Sequence, residues 1–327
     1  MRVLVTGATG FVGYPLTRIL VEQGHEVRAL VRNPGKAAQL PEGVEALQGD
    51  VLEPATVSSA LACCDACVHL VGILREDPDR GVTFDRLHYQ ATRNVVEACR
   101  QNEVRRLLHM SANGAERGLD TAYFASKSRA EAFVQASGLE TVVMRPSLIY
   151  GGREGRPNFV GMIQQNLRWA PAFPYFGDGN YRLAPVSARE VGLAFASALV
   201  RPECPGKTYH LCGSECYSYK ELLRLVRDLG GYRSVLFSVP FWMAEMPASW
   251  FGRQTWFPLT VEMLRMLRAG NVCPAGEPDF HGLLDVPTES FQQWLLAGRG
   301  GRPRHGPPPA PPLDRARVTG PLPPREN

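Results

Sequence analysis

The sequence has no apolar stretch long enough to cross a membrane. A membrane-spanning helix needs about 18 or more consecutive apolar residues, and the 327 residues contain no such run. The chain passes from Met1-Arg2 directly into the apolar segment Val3–Val5, which leaves no room for the charged and apolar regions of a signal peptide. We therefore expect a cytoplasmic protein, with peripheral attachment to an inner membrane as an alternative.

A strong excess of one charge is also missing. The chain carries 36 Lys and Arg against 32 Asp and Glu, a net charge of +4. Residues 299–327 contain six Arg and two acidic residues, so this segment alone accounts for the excess. The remainder is close to neutral, which is unlike a surface built to hold a phosphate backbone. We expect no nucleic-acid partner.

The eight cysteines do not form a complete set of metal ligands. Cys64 and Cys67 have the C-x-x-C spacing, but no second pair of Cys or His follows at a suitable distance. Cys67 opens the apolar run that ends at Val71, which is typical of a buried strand where Cys acts as a small apolar residue. We expect no metal and eight reduced thiols, as is usual in the cytoplasm.

Short apolar runs alternate with helical patterns in the first half of the chain. Repeated strand–helix units predict an α/β fold with a parallel, doubly wound sheet covered on both faces. Gly24 and Gly138 follow two of the predicted helices, where a C-terminal glycine is common. The predicted strands are Val3–Thr6, Glu26–Val31, Val44–Gln48, Cys67–Val71, Arg106–Met110 and Thr141–Arg145, and the predicted helices are Phe11–Gln23, Pro54–Ala62, Phe84–Gln101 and Thr121–Ser137.

A glycine-rich turn connects the first predicted strand to the first predicted helix. Glycine permits a tight turn and a close approach of the backbone to a pyrophosphate, and the helix N-terminus adds free N–H groups and a partial positive charge. Between a strand and a helix, this pattern indicates a Rossmann-type dinucleotide-binding domain, which we place at residues 1–150. The cofactor-binding residues predicted from the turn are Gly7, Thr9, Gly10, Phe11, Val12 and Gly13.

The next two predicted strands end in residues that bear on the choice of cofactor. An NAD-selective domain usually has an acidic residue after the second strand, whereas this chain has Arg32, which can pair with a 2′-phosphate. NADP(H) is therefore favoured, NAD(H) stays open, and the alternative for Arg32 is a solvent-facing loop residue. After the third strand, Asp50-Val51 can meet the adenine, although a capping role for Asp50 is the alternative.

Tyr123 and Lys127 form the only Tyr-x-x-x-Lys pattern in the chain. Residues four apart on a helix share a face, so the phenol and the ammonium can meet. A nearby ammonium lowers a phenol pKa, which would make Tyr123 a usable acid or base. Ser111 follows the strand Arg106–Met110 at the carboxyl edge of the sheet, where a hydroxyl can polarise a substrate carbonyl. Ser111, Tyr123 and Lys127 are the predicted catalytic residues.

After Gly151-Gly152 the strand–helix alternation is lost. We expect residues 151–298 to form a smaller lobe, interleaved with the first domain, that closes over the cofactor and shapes the substrate site. From Gly300 onward, nine prolines interleave with Arg and Gly, so residues 299–327 are predicted to be a disordered tail. Helical patterns in the second half occur at Ala188–Leu199, Tyr219–Leu229, Thr260–Ala269 and Thr288–Leu296.

These motifs together resemble the extended and atypical short-chain dehydrogenase/reductases, a superfamily that includes NAD-dependent epimerases and dehydratases. The resemblance runs from Met1 to about Leu296 and includes Arg145–Gly151, which is similar to the segment beside the nicotinamide in that superfamily. In particular, the sequence resembles the nucleotide-binding accessory subunit of respiratory complex I and its bacterial relatives. The stretches that carry this likeness are His69–Ile73, His109–Ala112, Pro185-Val186, Glu190-Val191 and Pro287–Phe291.

The resemblance implies NADP(H) binding, with Leu70, Val71, Gly72 and Pro146 beside the cofactor and with Tyr123 and Lys127 reaching it. It also implies, for some relatives, association with complex I or with ubiquinone biosynthesis at a membrane. Many dehydrogenases of this type have an Asn about six residues before the Asn of the following helix, which supports a proton relay; counting back from Asn94, this chain has His88. Glu190 stands where many relatives have Asp.

Two functions remain open from the sequence. One is an oxidoreductase, or less often an epimerase or dehydratase, that acts on a carbonyl, hydroxyl or quinone-related small molecule. The other is a non-catalytic nucleotide-binding subunit or assembly factor. The aromatic segment 241–257 is either core or a face for a membrane or a partner, and sequence alone does not choose.

Overall fold

The computed structural model describes residues 1–152, 158–252, 259–276 and 280–298. Residues 299–327, for which a disordered tail was predicted, lie outside the described residues, as do Trp256 and Phe257 of the aromatic segment. No helix in the described ranges is both long enough and apolar enough to span a bilayer.

The regular elements are numbered in chain order. The strands are β1 (Arg2–Thr6), β2 (Glu26–Val31), β3 (Val44–Gln48), β4 (Ala66–His69), β5 (Arg106–Met110), β6 (Glu140–Pro146), β7 (Ile149–Tyr150), β8 (Ala172–Phe176), β9 (Arg182–Leu183), β10 (Val186–Ser187), β11 (Thr208–Leu211), β12 (Tyr217–Ser218) and β13 (Val235–Val239). The α-helices are α1 (Gly13–Glu22), α2 (Pro54–Leu61), α3 (Ala91–Gln101), α4 (Ala122–Gln135), α5 (Phe159–Trp169), α6 (Ala188–Val200), α7 (Tyr219–Gly230), α8 (Phe241–Phe251), α9 (Val261–Arg268) and α10 (Phe291–Ala297).

The central sheet has seven parallel strands in the order β11-β6-β5-β4-β1-β2-β3. The chain winds outward from β1 through β2 to β3, and then returns through β4 on the other side of β1. A parallel sheet of this kind is buried on both faces, and ligands bind outside the carboxyl ends of the strands where the winding direction changes. The predicted Rossmann-type doubly wound fold is therefore confirmed, and its switch point lies between β1 and β4.

Alternation along β1 shows how the two faces of the sheet are filled. Val3 and Val5 pack in a cluster with residues of α1 and α6, whereas Leu4 packs in a second cluster with residues of α2 and α3. Successive side chains of a strand point to opposite faces. Thr6 and His69 therefore project from β1 and β4 toward the same side as Leu4, where α3 covers the sheet.

Two predicted elements have different limits in the structure. The strand predicted at Cys67–Val71 is β4, Ala66–His69, because its pairing with β1 and β5 stops at His69. Residues from Leu70 onward leave the sheet and cross its carboxyl edge. The helix predicted at Phe84–Gln101 begins as a π-helix, Asp85–Gln90, and becomes α3 only at Ala91.

The second half of the chain builds a lobe around its own apolar cluster. Side chains from α5, α7 and α10 form this cluster, while α8 and α9 pack on each other in a further one. β11 also comes from this half, yet it pairs with β6 in the central sheet. Its four residues carried no signal of a strand in the sequence.

Cys212 and Cys273 form a disulfide, so the expectation of eight reduced thiols was wrong for this pair. Cys212 directly follows β11, and Asn271 bridges to Leu183 of β9 just before Cys273. This packing brings the two Cα atoms to 5.9 Å across a sequence separation of 61 residues, which lies within the usual span of a disulfide. The other six cysteines are free.

Candidate functional site

The glycine turn after β1 has the geometry that the sequence predicted. Gly7 has a φ of +80°, and a Cβ there would lie 3.2 Å from the backbone of Leu70 and Val71. A Cβ on Gly13 would overlap the carbonyl oxygen of Gly7. The three segments approach each other so closely that only glycine fits at these two positions.

The N-terminus of α1 is left open for an anion. Val12 is its N-cap residue and makes no side-chain capping bond, and the first turn contains no acidic residue. Helix N-termini carry unpaired N–H groups and a partial positive charge, and an anion can satisfy both. The turn and the helix start therefore fit a dinucleotide pyrophosphate.

Arg32 and Asp50 lie at the ends of β2 and β3, at the same edge of the sheet. The Arg32 side chain is exposed, as a group that awaits a 2′-phosphate or faces solvent would be. Asp50 Oδ1 accepts a hydrogen bond from the N–H of Leu52 at 2.9 Å, so one carboxylate oxygen holds its own loop. The Val51 carbonyl accepts from Asn94 Nδ2.

Ser111, Tyr123 and Lys127 are buried together near the carboxyl ends of β4 and β5. Lys127 Nζ donates to the carbonyl of Met110, the residue before Ser111, at 3.0 Å. Tyr123 packs in one apolar cluster with Ala112, the residue after Ser111. Ser111 Oγ has no hydrogen-bond partner within the described residues. A buried hydroxyl without a partner is costly, which is typical of a group that meets a ligand or water.

The pKa of Tyr123 differs from the sequence expectation. Burial raises the pKa of Tyr123 well above its ordinary value of 10, whereas the Tyr-x-x-x-Lys pattern predicted a lowered one. Burial also lowers the pKa of Lys127 to about 8, although the nearby Glu131 carboxylate partly opposes this shift. Desolvation disfavours both charged forms, and it is the largest cause of both shifts.

Gly72 explains how Lys127 reaches the cofactor edge. A Cβ on Gly72 would lie 3.1 Å from Lys127 Nζ and 3.6 Å from His88 Nε2. The lysine ammonium therefore lies directly against the loop Leu70–Gly72, which follows β4 along the carboxyl edge. Pro146, also predicted to line the cofactor, ends β6 next to Asn113 at that edge, and its carbonyl accepts the Asn113 N–H.

His88 connects this loop to the helix of Tyr123. Its Nε2 lies 3.1 Å from both the N–H and the carbonyl oxygen of Ile73, and its Nδ1 lies 2.8 Å from Ser126 Oγ. The imidazole also packs edge-on against the Tyr123 ring, with the centroids 5.3 Å apart. Burial and the nearby Lys127 charge lower the pKa of His88 to about 2, so the ring is neutral.

Two further histidines lie close to Lys127, and no function was predicted for either of them. His69 and His109 stack at 5.6 Å across β4 and β5, and Thr6 Oγ1 lies 2.7 Å from His69 Nδ1. Neither nitrogen of His109 has a partner among the described residues. Burial lowers the pKa of His69 to about 3 and that of His109 well below its ordinary value. The site is therefore lined by neutral imidazoles.

A buried polar chain supports the loop that carries Ser111. Asn113 donates to Asn271 Oδ1 at 2.8 Å, and its own Oδ1 lies 2.8 Å from His210 Nδ1. His210 in turn contacts Arg145, whose guanidinium pairs with Glu131 on α4. Five separate segments contribute one residue each, so no spacing in the sequence could have revealed the chain.

The Glu190 side chain is long enough to contact two segments of the backbone, and its role is structural. Its carboxylate completes a capping box with Ser187 at the start of α6, and Oε1 also accepts from the N–H of Glu289 at 2.9 Å. The segment before α10 is thereby held against α6. This contact lies outside the cluster around Tyr123.

Comparison with known proteins agrees with this site. Residues 7–167 match a family model described as NAD(P)H-binding. The 2-alkyl-3-oxoalkanoate reductase of Stenotrophomonas maltophilia is 30% identical over 71% of this chain and 77% of its own length. The mitochondrial NADH-ubiquinone oxidoreductase 40 kDa subunit of Neurospora crassa is 23% identical over 78% of this chain and 67% of its own.

Among solved structures, the UDP-glucose 4-epimerase of Thermus thermophilus in complex with NAD superposes with a TM-score of 0.66. It is 23% identical, and the match covers 90% of this chain and 97% of the epimerase, so it supports the fold. The glycine turn, the buried Ser111–Tyr123–Lys127 set and these relatives lead to one conclusion: the chain belongs to the NAD(P)H-binding short-chain dehydrogenase/reductase superfamily.

Proposed function

We propose that this protein is an NADP(H)-dependent reductase of a carbonyl or quinone-type group on an apolar small molecule. When bound, the nicotinamide supplies a hydride. The protein then has to hold the carbonyl oxygen and deliver one proton to it. Ser111 positions the oxygen, Tyr123 donates the proton, and Lys127 supports the charge that develops on the phenol.

The proposal depends on two groups that occur in the same site. The Ser111 hydroxyl has no hydrogen-bond partner among the described residues, and the buried Tyr123 phenol is protonated. A carbonyl oxygen is an acceptor, and Ser111 Oγ lacks a partner until such an acceptor or a water arrives. Reduction needs a proton donor, and burial keeps the Tyr123 phenol in its acid form at neutral pH. A phenol donates its proton more readily as its pKa approaches the working pH, so the Lys127 ammonium is needed to stabilise the phenolate as the proton leaves.

The walls around Tyr123 favour an apolar substrate. Phe84, Ala112, Ala115 and Phe124 pack with Tyr123, and Ile73, Leu119 and Met266 add a partly buried rim. Apolar walls with a few convergent polar groups are typical of small-molecule sites. The 2-alkyl-3-oxoalkanoate named for the Stenotrophomonas relative has this character, a ketone that carries alkyl chains.

The preference for NADP(H) rests on Arg32. Arg32 occupies the position after β2 where an NAD-selective domain usually has an acidic residue. Its exposed guanidinium can form two parallel hydrogen bonds with a 2′-phosphate.

Tyr123→Phe tests the catalytic role. We measure NADPH oxidation with ethyl 2-methylacetoacetate and with a short-chain ubiquinone analogue, alongside NADPH affinity by calorimetry. General acids contribute roughly 10²–10⁴-fold, so turnover should fall by about that factor with NADPH affinity unchanged. Tyr217→Phe, which removes a half-buried phenol that accepts from Gln292, is the matched control and should keep full activity.

A second candidate function is a nucleotide-binding subunit or assembly factor at a membrane complex of respiration or of ubiquinone biosynthesis. The observation in its favour is that His88 stands in place of the relay Asn and is held by contacts with Ser126 and Ile73. In that case Tyr123→Phe would support growth and quinone content as well as the wild type, while loss of nucleotide binding would not.

A further inference from the structure

α8 presents an exposed apolar face. Trp242, Met246 and Trp250 follow one another at a spacing of four residues, so they lie in one row on the helix. Their exposed fractions are 59%, 52% and 74%, and Met243 beside them is 50% exposed. Large apolar side chains grouped in this way are uncommon on a monomer and mark an interaction surface. We call these four residues the α8 face.

The opposite side of α8 is buried against the rest of the protein. Ala244 and Ala248 are buried against Leu264 of α9 and Phe176 of β8. The helix is therefore anchored by its small residues and cannot turn its tryptophans inward. The α8 face is a consequence of the native packing.

We propose that the α8 face docks on the surface of an anionic lipid bilayer and that the apolar substrate enters the site from there. This inference rests on the proposed reductase function. Tryptophan favours the boundary between headgroups and acyl chains, where its apolar body and N–H group are both satisfied. An amphipathic helix bound in this plane buries its apolar face a few ångströms into the lipid.

The charges around the α8 face match anionic headgroups. Glu245 is the only charged residue of α8, and it is partly buried. Arg265 and Arg268 are exposed on the neighbouring α9, and the Arg268 guanidinium lies 5.3 Å from the centroid of the Phe241 ring. Basic residues beside an apolar face attract anionic lipid.

A protein partner fits the α8 face less well. Protein interfaces carry about one hydrogen bond per 100–200 Å². On α8 itself the polar side chains are Ser249, whose hydroxyl already donates to the Met246 carbonyl at 2.7 Å, and the partly buried Glu245. Lipid tails need no hydrogen-bond partners, so a bilayer is the better occupant.

α8 and α9 lie close to the cluster that contains Tyr123. Arg75 Nη2 donates to the carbonyl of Gly252, at the end of α8, at 2.8 Å, and the preceding Leu74 is 62% exposed. On the other side, Met266 of α9 packs in the cluster that contains Tyr123. These contacts bring the end of α8 and the helix α9 beside the Tyr123 cluster, on the route that we propose for an alkyl chain leaving the bilayer. The substrate class is a membrane-resident ketone or quinone with a long alkyl or isoprenoid chain.

The experiment is flotation of the full chain with vesicles of phosphatidylcholine containing phosphatidylglycerol, and with phosphatidylcholine alone. The wild type should float with the anionic vesicles, and less so in high salt. Trp242→Ser/Trp250→Ser should bind at least about tenfold more weakly, since each tryptophan contributes its apolar area. Trp169→Ser is the matched control: Trp169 is 77% exposed but belongs to α5, outside α8 and α9.

Several results would overturn the inference. These are a wild type that binds no vesicle, a double variant that floats as well as the wild type, or a Trp169→Ser variant that loses binding equally. Self-association of the wild type that the double variant abolishes, without vesicle binding, would assign the α8 face to a second copy instead. If the double variant loses its circular dichroism signal or NADPH binding, Met246→Glu at an exposed position replaces it, with the same expected loss.

The inference and the reductase proposal fail separately. Tyr123→Phe should float like the wild type, because it does not touch the α8 face. The double variant should reduce soluble ethyl 2-methylacetoacetate normally but show at least a tenfold higher KM for a long-chain ketone presented in vesicles. Reduction of the soluble ester without vesicle binding disproves only the lipid surface, and vesicle binding without any reduction disproves only the reductase.

Discussion

Glu262 of α9 caps the helix that carries Tyr123. Its two carboxylate oxygens accept from the backbone N–H groups of Ala122 and Tyr123, at 2.8 and 3.1 Å. Both donors belong to the first turn of α4, where intrahelical partners are missing and negative charge is favourable. The position of the phenol therefore depends on a residue 139 positions away in the sequence.

Glu262→Gln should loosen this arrangement. The variant keeps one acceptor but loses the charge and the second acceptor, so we expect a loss of about 0.5–2 kcal/mol in the free energy of unfolding. Turnover should fall several-fold with NADPH affinity unchanged, because α1 and its turn are untouched. Urea unfolding and steady-state kinetics measure both. Glu221→Gln removes a comparable carboxylate from the capping box of α7 and should reduce stability alone; an equal loss of turnover there would contradict a positioning role for Glu262.

Gly10→Ala should impair nucleotide binding while the fold is kept. A Cβ at Gly10 would lie 2.9 Å from the Gly7 carbonyl oxygen, so the turn must shift. Loss of even one hydrogen bond to a charged phosphate costs about 1.5–3 kcal/mol, which corresponds to a Kd for NADPH that rises roughly ten- to a hundred-fold. Gly282→Ala, where a Cβ meets nothing within 4 Å, is the control. Unchanged calorimetric affinity of the Gly10 variant would rule out the turn as the pyrophosphate site.

Arg32→Ala should weaken the binding of NADPH but not that of NADH. If Arg32 pairs with the 2′-phosphate, the NADPH affinity falls by roughly ten- to a hundred-fold, while the NADH affinity hardly changes. Arg18→Ala, which breaks an ion pair with Glu22 on α1, removes a similar charge elsewhere and should affect neither nucleotide. If the Arg32 variant lost affinity for both nucleotides equally, Arg32 would not contact the 2′-phosphate.

The buried histidines should make the protein sensitive to acid. His69, His88 and His109 have lowered pKa values in the folded state, to about 3 for His69 and about 2 for His88. The unfolded chain binds more protons as the pH falls through about 6.5, so stability is lost from there downward until about pH 3. At pH 5.5 each neutral imidazole costs about 1.4 kcal/mol, or about 4 kcal/mol for the three.

His109→Leu isolates one of these contributions. The imidazole has no partner among the described residues, and leucine can replace it without leaving a buried polar group. We expect stability at pH 7.5 to be kept or raised, and the loss between pH 7.5 and 5.5 to shrink by about 1.4 kcal/mol. Urea midpoints at the two pH values measure this. An unchanged loss would show that His109 is protonated in the folded protein.

The sequence by itself determined the features that depend on neighbours along the chain. β2, β3 and β5 have the predicted bounds. β2 and β5 are largely buried parallel strands between turn residues, whereas β3 is the exposed edge strand of the sheet. The glycine turn is likewise local: the same eight or so residues make the turn, the close approach and the start of the helix. Tyr123 and Lys127 share one helix by spacing alone.

Tertiary structure decided the chemistry of those residues. Burial of the α4 side chains sets the direction of the Tyr123 and Lys127 pKa shifts, and no spacing in the chain reports burial of that depth. The order of the strands brings His69 beside His109. The Cys212–Cys273 disulfide and the Glu262 cap join segments that are far apart in sequence. A periodic pattern specifies contacts within a few residues, whereas these contacts arise only when separate elements pack against one sheet edge.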